Sequence, residues 1–380
     1  MANPTPSNLA FPQSEYDRRT AALRARMAEH KIDVLIIDEF EHLMYYTGYL
    51  PTAAMYQCCI FPLQGDPTLI VRALDAPLID EVSWVRERIL FDDAANPIQV
   101  LTRTLRQHGY DGSGRIGYES DSNLLTSARL AELRETLARA TFVDFGSHMW
   151  TMRLRKSPLE IDMLRRCARI CDIGTLAGAE TAREGISERE VAAAIYAAAI
   201  RAGADNTRLL LSQSGPRSDS LHGALGNRIL QTGDLLHIEM VPHVRAYTAR
   251  SMRPVWIGTP DDETRDAAGR LIAAQDAQFA AMKPGALAGD IDRLLREEVL
   301  ASGLRTSYTN ITGYTLGLVA IPRTSDFTRI FLPNSDWRLE SGMVFHMYTS
   351  AKGMSFSETI HVAETGAERL TQLPRRLMTA

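Results

Sequence analysis

Residues 156–174 read KSPLEIDMLRRCARICDIG, and the start of a helix is written into them. Ser157 can cap, Pro158 takes the first helical position, and Glu160 completes a capping box. Ser187 and Glu190 repeat that box ahead of REVAAAIYAAAIRAG (189–203). Two more helices are predicted over residues 262–282 and 288–303, the second ended by Gly303. Strand-like blocks cover roughly 207–258 and 305–365. The order helices, strands, helices, strands implies two α-plus-β units packed as a pseudo-repeat across residues 151–380.

Upstream, helix and strand alternate. An amphipathic stretch over 16–32 leads into DVLIID (33–38), a short apolar run suited to a buried strand. CCIFPL (58–63) and TLIVRA (68–73) are further strand candidates, joined by a hairpin at Gln64, Gly65 and Asp66. Helix patterns over 96–109 and 127–138 flank the strand-like RIGYES (115–120). These elements make a small α/β domain over residues 1–150.

The 380 residues, 45% hydrophobic, suffice for two domains that each bury a core. A net charge of -4 without basic runs gives no reason to expect a nucleic-acid partner. No apolar stretch reaches membrane-spanning length. Residues 1–19 lack the basic segment and apolar core of a signal peptide, so a cytoplasmic location is expected. Cys58 and Cys59 are adjacent, and Cys167 and Cys171 lie four apart without a histidine at metal-site spacing. All four read as buried reduced thiols.

Four clusters could carry chemistry. SGPRSDSLHGALGNRILQTGD (214–234) holds His222 in a glycine-flanked loop. HIEMVPHVRAYTARSMRPVWIG (237–258) holds Glu239, His243, Tyr247 and Arg253. In NITGYTLGLVAIPRTSDFTR (310–329), Gly313 and Gly317 bracket Tyr314. GMVFHMYTSAKGMSFSETIHV (342–362) holds His346, Tyr348 and Glu358. Glu239 sits on a strand whose neighbours Ile238 and Met240 point the other way, so its carboxylate is expected in a central pocket. His237 and His361 read as structural, and His243 as exposed at a turn.

The order of these clusters resembles the creatinase and aminopeptidase P superfamily, whose catalytic domain is the pita-bread fold. The resemblance implies an α/β N-terminal domain plus an α+β pita-bread catalytic domain with a pseudo-twofold repeat. Metallopeptidase members bind two metal ions through two aspartates, a histidine and two glutamates. The matching positions here carry Glu239, Arg250, Tyr314, Tyr348 and Ser357. A permanently charged guanidinium repels a divalent cation, and a phenol is a poor ligand at neutral pH. No metal and no cofactor is therefore expected.

Two metal-free branches of the superfamily are creatinase and ectoine hydrolase, and the residues lean to the second. Ectoine hydrolases are similar in Glu239, in the Gly313–Tyr314 pair, in Phe345–His346, and in a segment resembling Ser357, Glu358 and Thr359. Tyr348, Thr349 and Ser350 depart from that pattern. The expected function is metal-independent hydrolysis of a non-peptide C–N bond in a small zwitterion, with an ectoine-like amidine favoured. Glu239 is expected as nucleophile or base, His222 as proton shuttle, and Glu358 and Tyr314 as holders of the substrate nitrogens. His346, Tyr348 and Arg253 are further substrate-binding candidates. The superfamily is implied to be homodimeric, and Tyr56 of the N-terminal domain could reach a neighbouring subunit's pocket. The alternatives are a urea-releasing creatinase-like enzyme, an Xaa-Pro peptidase and a non-catalytic binding protein.

Overall fold

A computed structural model describes residues 6, 8–52, 55–112, 114–209 and 213–380, so much of the opening Met1–Ser7 lies outside the described residues. The chain divides into two compact units between Met152 and Arg153.

The first unit contains helices α1 (Gln13–Glu29), α2 (Phe40–Thr47), α3 (Ala76–Val82), α4 (Pro97–Gln107), α5 (Ser127–Thr136) and α6 (Gly146–Met152). Its strands are β1 (Val34–Ile37), β2 (Cys58–Pro62), β3 (Thr68–Arg72), β4 (Glu87–Phe91), β5 (Arg115–Tyr118) and β6 (Thr141–Asp144), in the sheet order β4-β3-β2-β1-β5-β6. Every residue of β1 is buried, as its unbroken apolar run requires. The turn at Gly65, with φ of 96°, joins the antiparallel β2 and β3. Helix α2 escapes a reading by periodicity, because nearly all of FEHLMYYT is buried.

Tyr56 belongs to this unit's core, at 1% exposure beside Cys58, Ile60 and Ile116. Its hydroxyl faces Asp38. The expectation that Tyr56 reaches out to a substrate is corrected: the ring is enclosed by its own unit. All four cysteines are free and buried, and burial raises each thiol.

The second unit opens with α7 (Pro158–Thr181) and α8 (Glu188–Arg201), and each forms the reciprocal capping box its sequence announces. Strands β7 (Asn206–Leu209), β8 (Gln213–Ser214), β9 (Leu235–Val244), β10 (Tyr247–Thr248) and β11 (Ser251–Trp256) follow. A second helix pair, α9 (Asp262–Ala281) and α10 (Ala288–Ala301), leads to β12 (Gly313–Thr315), β13 (Ile330–Phe331), β14 (Val344–Ala351), β15 (Met354–Ala363), β16 (Gly366–Arg369) and β17 (Met378–Thr379). One mostly antiparallel sheet runs β10-β9-β11-β15-β14-β12-β13, joining the two halves through β11 and β15. Two helix pairs on one sheet make the expected α+β pseudo-repeat.

One face of this sheet is covered by helices. Gly174 and Gly178 of α7 let the helix press onto Met240, Ile195 and Ile238, and a Cβ at either glycine would collide with them. Gln275 of α9 donates to the carbonyls of Met347 and Phe356, both at 3.3 Å. Ile238, Met240 and Met347 therefore mark the helix face, and the residues alternating with them mark the other. Among the described residues, no helix is long and apolar enough to cross a membrane.

Candidate functional site

Strand register sets the candidate site on the face away from the helices. Met252 lies opposite both Glu239 and Ser357, and Ser357 lies opposite Tyr348. Directly paired residues share a face, so Glu239, Met252, Ser357 and Tyr348 form one rank across four strands. A second rank, two residues along, holds Thr359, His346 and Tyr314. His237 stands two residues before Glu239 on β9, and Gln213 of β8 pairs with His237. Both join the same face.

A guanidinium organises these groups. Arg250 donates through Nε to Glu239 Oε1 at 2.5 Å and through Nη1 to the Tyr314 hydroxyl. Tyr314 Oη also meets His346 Nδ1 at 2.8 Å. Since the phenol oxygen accepts from Arg250, its own proton is the one shared with Nδ1. A neutral His346 then carries its proton on Nε2. Burial does hold His346 well below the usual imidazole range, with Arg250 adding to the effect. Burial likewise raises the Tyr314 phenol. The His346 and Tyr348 rings stack at 5.5 Å and 13°, and Asn310 donates to the Tyr348 hydroxyl at 3.3 Å.

Glu239 is fully buried and anionic. Burial alone would raise its carboxyl, but Arg250, His237 and His346 together hold it down at about 2. Such a carboxylate is a poor proton acceptor near neutral pH and a strong partner for a cation. Among the described residues its second oxygen, Oε2, has no hydrogen-bond partner. The same holds for both ring nitrogens of His237, His346 Nε2, Ser357 Oγ and both amide atoms of Gln213. His237 Nε2 stands 3.9 Å from Glu239 Oε2. Buried polar groups are ordinarily satisfied, so this concentration of open donors and acceptors on one face points to a ligand.

The geometry places five of the sequence candidates otherwise than expected. Glu358 is adjacent to Ser357 in β15 and therefore points to the helix face, opposite Met347. There Arg253 donates to Glu358 Oε1 at 2.6 Å and Thr371 to Oε2, while Arg375 and Arg369 approach at 3.4 and 3.7 Å. Burial raises the Glu358 carboxyl against the pull of Arg253 and Arg369. Glu358 and Arg253 hold each other and neither reaches the Glu239 rank. His222 is exposed on its loop, whereas Leu221 beside it packs against Met252, Tyr314 and Tyr348. His243 is buried near the end of β9, and desolvation brings its imidazole down to about 4. His237, read as structural, faces the site.

Gln213 and Ser357 received no role from the sequence, and Arg250 only that of a charge that excludes a metal. The period of two that placed Glu239 applies equally to His237. Gln213 is a different case, since only the pairing of β8 with β9 brings it near. Gly223 packs on the Gln213 side chain so tightly that any Cβ there would overlap it.

The chain matches known proteins over nearly its full length. Residues 19–155 match the creatinase/prolidase N-terminal domain, and residues 162–364 match metallopeptidase family M24. It is 24% identical to the ectoine hydrolase of Halomonas elongata over 393 residues, covering 97% of this chain and 98% of that protein. It is 26% identical to the creatinase of a Bacillus species over 385 residues, covering 96% and 92% of the two chains. The crystal structure of the prolidase from Pyrococcus horikoshii OT3 superposes with a TM-score of 0.81 at 23% identity, covering 95% and 100%.

The family description implies a metal centre, and the residues present do not fit a two-metal one. Among the described residues, no group of three or more His, Cys, Asp or Glu is placed to hold an ion. Glu239 is already neutralised by a guanidinium in direct contact, and the phenol of Tyr314 is driven away from its anionic, ligating form. The site differs in its charges from the two-metal pattern while its scaffold does not: a hydrolase fold with a creatinase-type N-terminal domain, this chain belongs to metallopeptidase family M24.

Proposed function

We propose that this protein hydrolyses a non-peptide C–N bond in a small zwitterionic compound without a metal ion, an amidine of the ectoine type being the preferred class. The observation that carries the reading is the Arg250–Glu239 pair. It places a carboxylate held well below its ordinary range, with one oxygen unpartnered among the described residues, on a buried sheet face that also carries unpartnered imidazole, hydroxyl and amide groups. The remaining oxygen of that pair can accept one N–H of an amidinium, whose central carbon is electrophilic without a Lewis acid. The full-length similarity to an ectoine hydrolase and a creatinase supports the same class.

In this reading Glu239 Oε2 accepts an amidinium N–H and fixes the substrate. His237, whose two ring nitrogens are open, takes a proton from the attacking water. The new C–O bond forms a tetrahedral intermediate, which the His346 Nε2–H and Ser357 hydroxyl can stabilise. One C–N bond then breaks, and the proton held by His237 passes to the departing nitrogen. As the C=O forms, the intermediate's hydroxyl gives up its proton to the released nitrogen, so a cationic amidinium and water yield a neutral amide and an ammonium group. Tyr314 and Arg250 position His346 and Glu239, and Tyr348 walls the pocket.

The test is a substrate panel of ectoine, hydroxyectoine, creatine and a proline dipeptide, run with and without a chelator. Turnover of an amidine that survives chelation is expected. Turnover abolished by the chelator and restored by manganese would overturn the proposal, and urea from creatine would reassign it to a guanidine.

A further inference from the structure

At the turn between β14 and β15 lies a cavity of about 190 Å³ lined by Ser218, Leu221, Arg305, Ser350, Lys352 and Ser355 among others. We infer that this cavity is a subsite for a carboxylate, anchored by Arg305 and completed by the hydroxyls of Ser350 and Ser355. The inference rests on the reading above, and it assigns the place where the anionic end of the zwitterion sits.

Three observations carry it. First, Ser350 pairs with Ser355 two residues beyond the Tyr348–Ser357 pair, so both serines share the face of the proposed reaction. Leu221 belongs to both places, lining the cavity and packing on Met252, Tyr314 and Tyr348. Second, Ser355 is 1% exposed, and its Oγ has no hydrogen-bond partner among the described residues. A buried, unpartnered hydroxyl on a residue that lines a cavity is a donor awaiting an acceptor.

Third, Arg305 is held by three hydrogen bonds and, among the described residues, carries no counter-ion. Its Nε donates to the Ser307 carbonyl at 3.0 Å, and Nη1 donates to Asn310 Oδ1 at 3.1 Å and to the Ser350 carbonyl at 3.4 Å. The guanidinium lies 4.2 Å from the Tyr308 ring centroid. Among the described residues, no carboxylate stands within ion-pairing distance of it. Lys352, the other cation of the cavity wall, is already bound to Glu263 at 2.6 Å. The one acidic lining residue, Asp219, is exposed.

One fixed and uncompensated positive charge with two hydroxyls suits a monoanion that accepts in a plane, which is a carboxylate. Asn310 ties the subsite to the reaction face, since it accepts from Arg305 and donates to Tyr348.

The experiment measures dissociation constants of ectoine, its methyl ester and acetate by calorimetry, on wild type, Arg305→Gln, Arg305→Lys and Ser355→Ala. Loss of a charge-assisted hydrogen bond is expected to weaken ectoine binding about 10- to 100-fold in Arg305→Gln, and loss of a neutral one about 2- to 10-fold in Ser355→Ala. Arg305→Lys should fall between wild type and Arg305→Gln. Where turnover is measurable, KM should rise with kcat nearly unchanged. The methyl ester should bind wild type and Arg305→Gln alike. Equal affinity of acid and ester for wild type would overturn the subsite even if Arg305→Gln failed to fold. So would an unchanged ectoine affinity in a folded Arg305→Gln. If no compound in the panel is hydrolysed, the proposed reaction fails, while Arg305-dependent binding of acetate still decides the subsite.

Discussion

Two buried arginine–glutamate pairs sit on opposite faces of one sheet, and the difference between them is informative. In the pair Arg253–Glu358, both carboxylate oxygens are occupied, by Arg253 and Thr371, and the group is enclosed on the helix side. In the pair Arg250–Glu239, one oxygen is bound and the other is open among further open groups. The first arrangement is what a structural ion pair needs, because a buried charge is tolerated only when its hydrogen-bonding capacity is filled. The second leaves capacity unused where burial makes that costly, and a ligand relieves the cost.

The most forceful way to break this comparison is at the histidines. His237→Ala is expected to lower turnover about 10²- to 10⁴-fold, the range for loss of a positioned acid–base group, with the folded state preserved. His222→Ala should change it less than about threefold, because an exposed loop imidazole touches none of the open groups. Steady-state kinetics on the two variants decides the assignment, and a large loss in His222→Ala with little in His237→Ala reverses it.

The carboxylates sharpen the contrast next. Glu239→Gln should cost about 10²- to 10³-fold in turnover per folded molecule, as expected for removing a fixed charge from the reacting centre. Glu358→Gln should instead cost about 3–5 kcal/mol of stability, since it leaves Arg253 buried without its anion. Its turnover per folded molecule should stay within about twofold of wild type. Denaturant titration paired with active-site-normalised kinetics reads both quantities. Equal kinetic losses in the two variants would erase the distinction between the faces.

The fold was largely legible because its signals are local. Both capping boxes, the Gly65 hairpin and the alternation around Glu239 depend on residues a few positions apart, and local rules suffice for them. The site was legible only in part. Glu239, Tyr314, His346 and Tyr348 lie on the proposed reaction face, but Glu358 does not. A single residue step along β15 moves a side chain from one face to the other, and the motif resemblance did not distinguish Ser357 from Glu358 in that respect. Gln213 and Arg305 were invisible for another reason. Their relation to the site arises from the β8–β9 pairing and from a loop after α10, and both are non-local. Tyr56 was misplaced because an aromatic next to a strand reads the same whether it faces outward or fills a core.

The pH dependence of stability tests the Glu239 pair without any substrate. Its folded carboxyl is held at about 2, below the ordinary value of 4.5. A depressed folded pKa adds stability that is fully present above the unfolded value and is lost as pH falls toward the folded one. Wild type should therefore lose about 3 kcal/mol more than Glu239→Gln between pH 5 and pH 2. Urea titrations at several pH values give the difference. A parallel decline in both proteins would mean that Arg250 does not hold the carboxylate as described.

The smallest effect belongs to Tyr314, whose hydroxyl links the two ranks. Tyr314→Phe keeps the ring against His346 but removes the oxygen that accepts from Arg250 and meets His346 Nδ1. Arg250 keeps its bond to Glu239, so the anion remains fixed and only the imidazole loses its orienting partner. About a tenfold fall in turnover and about 1–2 kcal/mol of stability are expected, the usual consequence of stranding buried donors. A purely structural phenol would give the stability loss alone. A positioning phenol also releases His346 to adopt its other tautomer, so the ring's nitrogen chemical shifts should change in the variant. Unchanged shifts together with unchanged kcat would remove Tyr314 from the catalytic arrangement and leave Arg250 and Glu239 as an isolated pair.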